Sequence, residues 1–416
     1  MTRTDFETGL QPDDRRVLAW AEAFATRTHG DVGGGIAEIL ALSGATDAIS
    51  FSGGFPDPRT FPGPVLADLL RELIEGGDAT AFQYAPTPGL PGPRDYLVSR
   101  LGTLEGRRPA EEELLISSGA VEALELAGKS LLDPGDVALV EGPTYLGAVM
   151  SFRSFEADVR AVPMDADGLD VEALEAELGR GRPKLLYTIP DHQNPAGVSL
   201  AAQRRGALVE LARRHRFLVI EDVAYRELGF DGGRPPSLWS LGPDVVLQVG
   251  TFSKTFFPGV RLGWAVGPAE VVRQLTAAKQ LTDQCASPLA QRLLEEYGRR
   301  GHLDRGIAAS RELYGRRAAL LLDALDRHVA GRIEWTRPRG GFFSWVTLPP
   351  GSDSVAVARR GMREGVAVVP GIPFFPDGRG TEHVRLSFSR VDDTEIDEGV
   401  RRLAAVIAGS GGAQIP

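Results

Sequence analysis

The sequence predicts an α/β protein with one large, mostly parallel sheet, helices on both of its faces, and a second, smaller α+β domain. Three observations carry this expectation. The chain has 416 residues, more than one compact core of roughly 100–200 residues holds. Between about residues 110 and 270, short β-rich apolar runs alternate with amphipathic helical ones. Apolar runs with no polar alternate face read as strands covered on both sides, as in a parallel sheet. The last hundred or so residues follow a different, α+β pattern.

In chain order, the strand-like runs are VALVEG (137–142), KLLYTIP (184–190), FLVIED (217–222), VVLQVGTFS (245–253) and GWAVG (263–267). Helical patterns such as GAVEALELAGKSLL and AAQRRGALVELARRH lie between them, ending at LDPGD and at His215–Arg216. A long helical stretch is expected from about 288 to 328. It is followed by the β-rich RIEWTRPRGGFFSWVTLP, a helix, VAVVPG, VRLSFS and a closing helix. The expected division assigns 1–60 to an N-terminal arm or lid with part of the small domain, and 61–300 to the large domain. It assigns 301–410 to the small domain and 411–416 to a disordered tail.

The formal net charge of -10 disfavours nucleic acid or an anionic membrane as partner, because either wants a basic face. The N-terminal MTRTDFETGLQPDDRR has no apolar signal region, and no apolar run approaches the roughly 20 residues of a membrane span. Cys285 is the sole cysteine, so no internal disulfide forms, and a cytoplasmic location is expected. Its side chain reads as a small buried hydrophobe rather than a catalytic thiol. The only lysines are Lys129, Lys184, Lys254 and Lys279, which narrows any lysine chemistry to four positions.

Several patterns imitate known sites. GKS at 128–130 lacks the glycine of a phosphate-binding loop, since Ala123 stands there, and it lies inside a helical pattern. HGDVGGG at 29–35 follows no strand and reads as a hinge or lid. The histidines form no metal-binding cluster and there is no GxSxG elbow.

The chemistry lies at the ends of successive strand-like runs. DHQNPAG (191–197), EDVAY (221–225) and GTFSKTFFPGVRLGW (250–264) each follow or close a strand, and Arg385 stands in VRLSFS. Ligands of open parallel sheets bind at the carboxyl ends of strands. Together these residues supply what pyridoxal 5′-phosphate needs. A carboxylate, Asp222, keeps the pyridine nitrogen protonated, and Lys254 offers an amine to the aldehyde. Ser253, Arg261 and the SSGAVEAL turn (117–124) suit the phosphate. Tyr145 can stack on the ring, and Asn194 and Tyr225 can hydrogen-bond its phenolic oxygen.

With SFSGGFPDPRTFP, FQYAPTPGLPGPRDYL, PTYLGA, QNPAG, EDVAYRELGF, PRGGFFSW and VVPGIPFF added, the chain resembles fold type I aminotransferases of the class I/II group from about Ile36 to Leu403. It is most like their 2-aminoadipate and kynurenine aminotransferase branch. The resemblance implies a seven-stranded large-domain sheet and a homodimer with shared active sites. It implies that Lys254 carries the cofactor and shuttles a proton, and that Tyr84 reaches the phosphate in the neighbouring subunit. Ser118, Gly119, Ala120 and Val121 would form the phosphate turn. Arg385 and Asn194 would clamp the substrate α-carboxylate, with Gly53 and Gly54 against the substrate.

Three departures bear on the substrate, an amino acid paired with a 2-oxoacid. Ala37 stands where the branch carries an arginine for a side-chain carboxylate. The phosphate turn reads Gly119-Ala120-Val121 in place of Gly-Ser-Gln. Asp191 and His192 precede QNP, with His192 either a proton donor near the substrate or a packed loop histidine. A neutral or bulky side chain is therefore expected, with Phe55 and Tyr84 beside the pocket. β-Elimination or decarboxylative deamination are the alternative reactions. A non-catalytic effector-sensing domain is disfavoured, since the roughly 35 preceding residues show no helix-turn-helix.

Overall fold

A computed structural model describes residues 20–28 and 48–409. Ala37, the glycine run at 33–35 and the tail from Ser410 lie outside these residues.

Fourteen strands are formed among the described residues. They are β1 (Ile49–Ser50), β2 (Leu114–Ser117), β3 (Val137–Gly142), β4 (Asp158–Asp165), β5 (Gly168–Leu169), β6 (Leu185–Thr188) and β7 (Leu218–Asp222). They continue with β8 (Val246–Thr251), β9 (Gly263–Val266), β10 (Glu334–Trp335), β11 (Phe343–Thr347), β12 (Val366–Ala367), β13 (Val369–Pro370) and β14 (His383–Ser387). The large sheet runs β2-β9-β8-β7-β6-β3-β4-β5. β8, β7, β6, β3 and β4 are mutually parallel, and β9 lies antiparallel between β8 and β2. The seven expected strands gain an eighth, the two-residue β5, which folds back on the end of β4.

The burial pattern explains why the strand runs are continuously apolar. β3 sends Ala138 and Val140 into one hydrophobic cluster and Leu139 into another. β6 divides Leu185 and Tyr187 from Leu186 in the same way. Leu124 and Ala127 of the helix Ala120–Leu131 fill the first cluster, whereas Leu208 and Ala212 of the helix Ala202–His215 fill the second. Each such leucine taken fully out of water contributes about 1.5–3 kcal/mol, so both faces favour apolar residues, and a polar one that enters, such as Gln248 in β8, is hydrogen-bonded, here to Glu221 at 3.1 Å.

The expected helix over 288–328 is two helices, Pro288–Arg299 and His302–Val329. Gly301 separates them with φ 70°, a left-handed conformation that glycine adopts without steric cost. The second helix packs on a four-stranded antiparallel sheet of order β10-β11-β14-β13 through a cluster that includes Leu321, Leu325, Val346 and Leu386. β1 pairs in parallel with β12, and Phe51 bridges Ala367 and Ser387 through its backbone. Residues 49–51 are thereby part of this smaller sheet region, whose strands place Arg385 opposite the large sheet.

Candidate active site

The carboxyl ends of the large sheet and the edge of the small one enclose a cavity of about 300 Å³. β7 closes with Asp222 and turns through Ala224 and Tyr225, and β8 leads to Thr251, Ser253 and Lys254. β6 leads to Ile189 and Asn194, β3 to Tyr145 and Leu146, and β14 carries Arg385 across from them. Gly54, Phe55, Ala120, Val121, Arg261, Phe343 and Phe374 complete the wall.

Burial without ionic pairing governs the electrostatics. Lys254 Nζ donates to the Gly54 carbonyl at 2.8 Å and lies 5.9 Å from the Tyr225 ring centroid. Burial, reinforced by Arg385, lowers its pKa to about 8, so a usable fraction of amine is free near neutral pH. Asp222 accepts from the Tyr187 hydroxyl at 2.8 Å and from the Ala224 amide at 2.9 Å. Burial pushes its carboxyl above the usual range despite these bonds. Arg385 donates to Asn194 Oδ1 at 2.9 Å and to the Ser52 carbonyl at 2.7 Å, and its guanidinium lies 4.3 Å from the Phe343 ring centroid. Burial lowers its pKa to about 10, and its Nε has no hydrogen-bond partner among the described residues. Tyr225 is held edge-on by Phe342 and Phe343, and burial raises its hydroxyl.

At the other end of the cavity, Arg261 donates to Ser253 Oγ and to the Ser118 carbonyl, both at 3.3 Å. Gly119 has φ 110°, and a Cβ there would meet Arg261 Nη2 at 2.8 Å, so only glycine lets the guanidinium lie against the turn. Ser118 departs from expectation. Its hydroxyl donates to Asp283 at 2.8 Å and its amide to Glu122 at 2.6 Å, so neither group is free to meet a phosphate in the cavity.

Gly53 is buried behind the wall rather than in it. Tyr84 lies away from the cavity, 76% exposed. His192 does not face the cavity either. Its ring packs against Gly340, where a Cβ would come within 2.5 Å of three imidazole atoms, and its amide donates to Ser199 Oγ. The proton-donor alternative is thus set aside in favour of a packed loop histidine, whose protonation burial disfavours. Cys285 is half-buried rather than buried.

Other contributors were not anticipated. Tyr187, one strand away on β6, orients Asp222, and the only hint was a tyrosine within an apolar strand beside an acidic strand end. Asp191 is held by Arg205 at 2.6 Å and Arg226 at 2.8 Å, and Arg226 by Glu105 at 2.9 Å. These four groups fasten the loop that carries Asn194. Glu141, beneath the same loop, accepts from Ile189 and Gln193, and burial raises its pKa to about 7.

The cavity fits pyridoxal 5′-phosphate on its own evidence. Asp222, Lys254, Arg261 and Arg385 have no ionic partner among the described residues. A protonated ring nitrogen, an aldehyde, a phosphate and a substrate carboxylate supply the missing partners. Residues 52–403 match the family Aminotransferase class I and II. The chain is 38% identical to the 2-aminoadipate transaminase of Thermus thermophilus, over 94% of this chain and 98% of that protein. It is 35% identical to aromatic-amino-acid aminotransferase 1 of Thermococcus litoralis, over 94% and 95%. The solved Pyrococcus horikoshii kynurenine aminotransferase superposes with a TM-score of 0.91 at 36% identity, covering 95% of this chain and 99% of that one. This chain belongs to the class I and II aminotransferases, and it is a pyridoxal 5′-phosphate-dependent aminotransferase of fold type I.

Proposed function

We propose that the enzyme moves an amino group between an L-amino acid with a neutral or bulky side chain and a 2-oxoacid. The observation that carries this reading is the count of cations lining the cavity. Among the described residues they are Lys254, Arg261 and Arg385. Lys254 holds the cofactor, Arg261 with Ser253 and the amides of Ala120 and Val121 receives its phosphate, and Arg385 with Asn194 receives the α-carboxylate. None remains for a second carboxylate, and Phe55, Leu146, Phe343 and Phe374 present apolar surface instead. A desolvated, unpaired carboxylate costs several kcal/mol.

When bound, pyridoxal 5′-phosphate supplies the electron sink that lets the substrate Cα–H bond ionise. Asp222 offers a buried negative charge to the ring nitrogen, and Tyr187 and Ala224 hold that carboxylate in place. Lys254, as free amine, takes the proton from Cα and returns it. Tyr225 and Asn194 would donate to the cofactor's phenolic oxygen, and Tyr145 would stack on its ring.

We infer a homodimer, in which Tyr84 completes the neighbouring site. Phe82, Tyr84 and Leu281 are 61%, 76% and 83% exposed, which is costly for large apolar side chains left in water. A cytoplasmic location is consistent with the lone free cysteine.

Comparing kcat/KM for leucine, phenylalanine, 2-aminoadipate and an S-substituted cysteine, whose thiolate can leave from Cβ, each with and without 2-oxoglutarate, tests the reading. Preference for the first two, dependent on the acceptor, supports it. Preference for 2-aminoadipate overturns the specificity, and product release without acceptor overturns transamination in favour of lyase chemistry.

A further inference from the structure

The turn that opens the helix Ala120–Leu131 is backed by charges that no role above uses. Lys279, fully buried, donates to both oxygens of Glu122 and both of Asp283, each at 2.8 Å. Those two carboxylates take the amide and the hydroxyl of Ser118. From its other side, the Ser118 carbonyl accepts from Arg261 Nη2. A continuous line of polar contacts therefore runs from Lys279 through the carboxylates and Ser118 to the guanidinium at the cavity.

The electrostatics of this line need a cation. The first amides of a helix have no partner within it and attract a phosphate. Glu122 stands in that same first turn, and Asp283 joins it beside Ser118. Two uncompensated carboxylates this close would repel a phosphate dianion and each other. Lys279 cancels one charge and ties the two groups together. The two carboxylates it holds also occupy the amide and hydroxyl of Ser118, which leaves phosphate recognition to Arg261, Ser253 and the amides of Ala120 and Val121.

We propose that Lys279 is a positioning residue for the cofactor phosphate, setting the conformation and charge of the turn without touching the phosphate. This rests on the phosphate assignment made above. The test is equilibrium reconstitution of cofactor-free enzyme with pyridoxal 5′-phosphate and, separately, with pyridoxal, which lacks the phosphate. Binding is followed by absorbance, and the bound phosphate by phosphorus NMR.

Lys279→Met should weaken binding of the phosphorylated form about tenfold or more while leaving pyridoxal within about twofold, because only the phosphate meets the altered field. Its phosphorus resonance should shift. Glu122→Gln/Lys279→Met should recover most of the loss, since the amide oxygen still accepts from Ser118 and the cluster returns to the single net negative charge it has in the native protein, now carried by Asp283. If Lys279→Met does not fold, Lys279→Gln, which keeps a polar side chain on both carboxylates but removes the cation, should lower the ratio of the two affinities in the same direction, by about threefold or more. Equal losses for both ligands, or none for either, would overturn the inference. Arg261→Ala is the control for the assignment beneath it. A normal affinity ratio there overturns both, whereas a lowered ratio beside a normal one in Lys279→Met overturns the positioning role alone.

Discussion

Two sets of buried charge lie within a few residues of each other and differ in one respect. Glu105, Asp191, Arg205 and Arg226 are buried and paired throughout. Burial alone would raise the Asp191 carboxyl, yet Arg205 and Arg226 outweigh it and hold the group below its usual range. Asp222 and Arg385 are buried as deeply and Lys254 is half-buried, but the three form no ion pair among the described residues, and each shifts toward its neutral form. Paired charges fix a loop. Unpaired ones carry a standing cost that only a ligand of matching charge relieves, and such perturbed groups mark functional sites.

The comparison can be broken at several points, beginning with the largest effect. Lys254→Ala should abolish turnover, a loss of many orders of magnitude, because no other lysine reaches the cavity. Borohydride treatment of the native enzyme should fix the cofactor on Lys254, and recovery of the label on Lys129, Lys184 or Lys279 would refute the assignment. Asp191→Asn, by contrast, leaves two arginines short of a partner and should destabilise the fold by about 3–5 kcal/mol, read from denaturant midpoints.

Arg385→Lys should weaken amino-acid binding by about 2–4 kcal/mol, since a point charge cannot reproduce a planar, two-pronged contact. Amines without a carboxylate should hardly respond. Similar losses for both would move the carboxylate site elsewhere. The smallest effect belongs to His192→Asn. Asparagine tolerates the left-handed φ of 53° found there, so kcat should change by less than about twofold, and a larger loss would return a chemical role to this residue.

Much of this was legible in the sequence because the parallel sheet is buried on both faces. VALVEG is β3 residue for residue, FLVIED runs one residue beyond β7, and VVLQVGTFS three beyond β8. β4 escaped notice because, as a half-exposed strand containing Pro163, it shows no apolar run. β2 has only four residues, too short for any period to register. Lys254, Asp222, Asn194 and Arg385 could be found because each follows or lies in a recognisable strand run. The surroundings of Ser118 could not, because Asp283 reaches it from 165 positions away. Nor could the role of Tyr187, whose place in an apolar strand looks like ordinary core.

The most direct test of the central distinction uses Asp222→Asn, with Asp191→Asn as its reference. Both remove one negative charge from a buried carboxylate near the same cavity. Denaturant unfolding of the cofactor-free proteins should show Asp222→Asn at or above the native midpoint, because a buried charge without an ionic partner is a cost to the empty protein. Cα–H exchange by the reconstituted variant should meanwhile fall about a thousandfold or more. A loss of stability matching that of Asp191→Asn, or near-native exchange, would show that Asp222 is a structural carboxylate and that the site's electrostatics lie elsewhere.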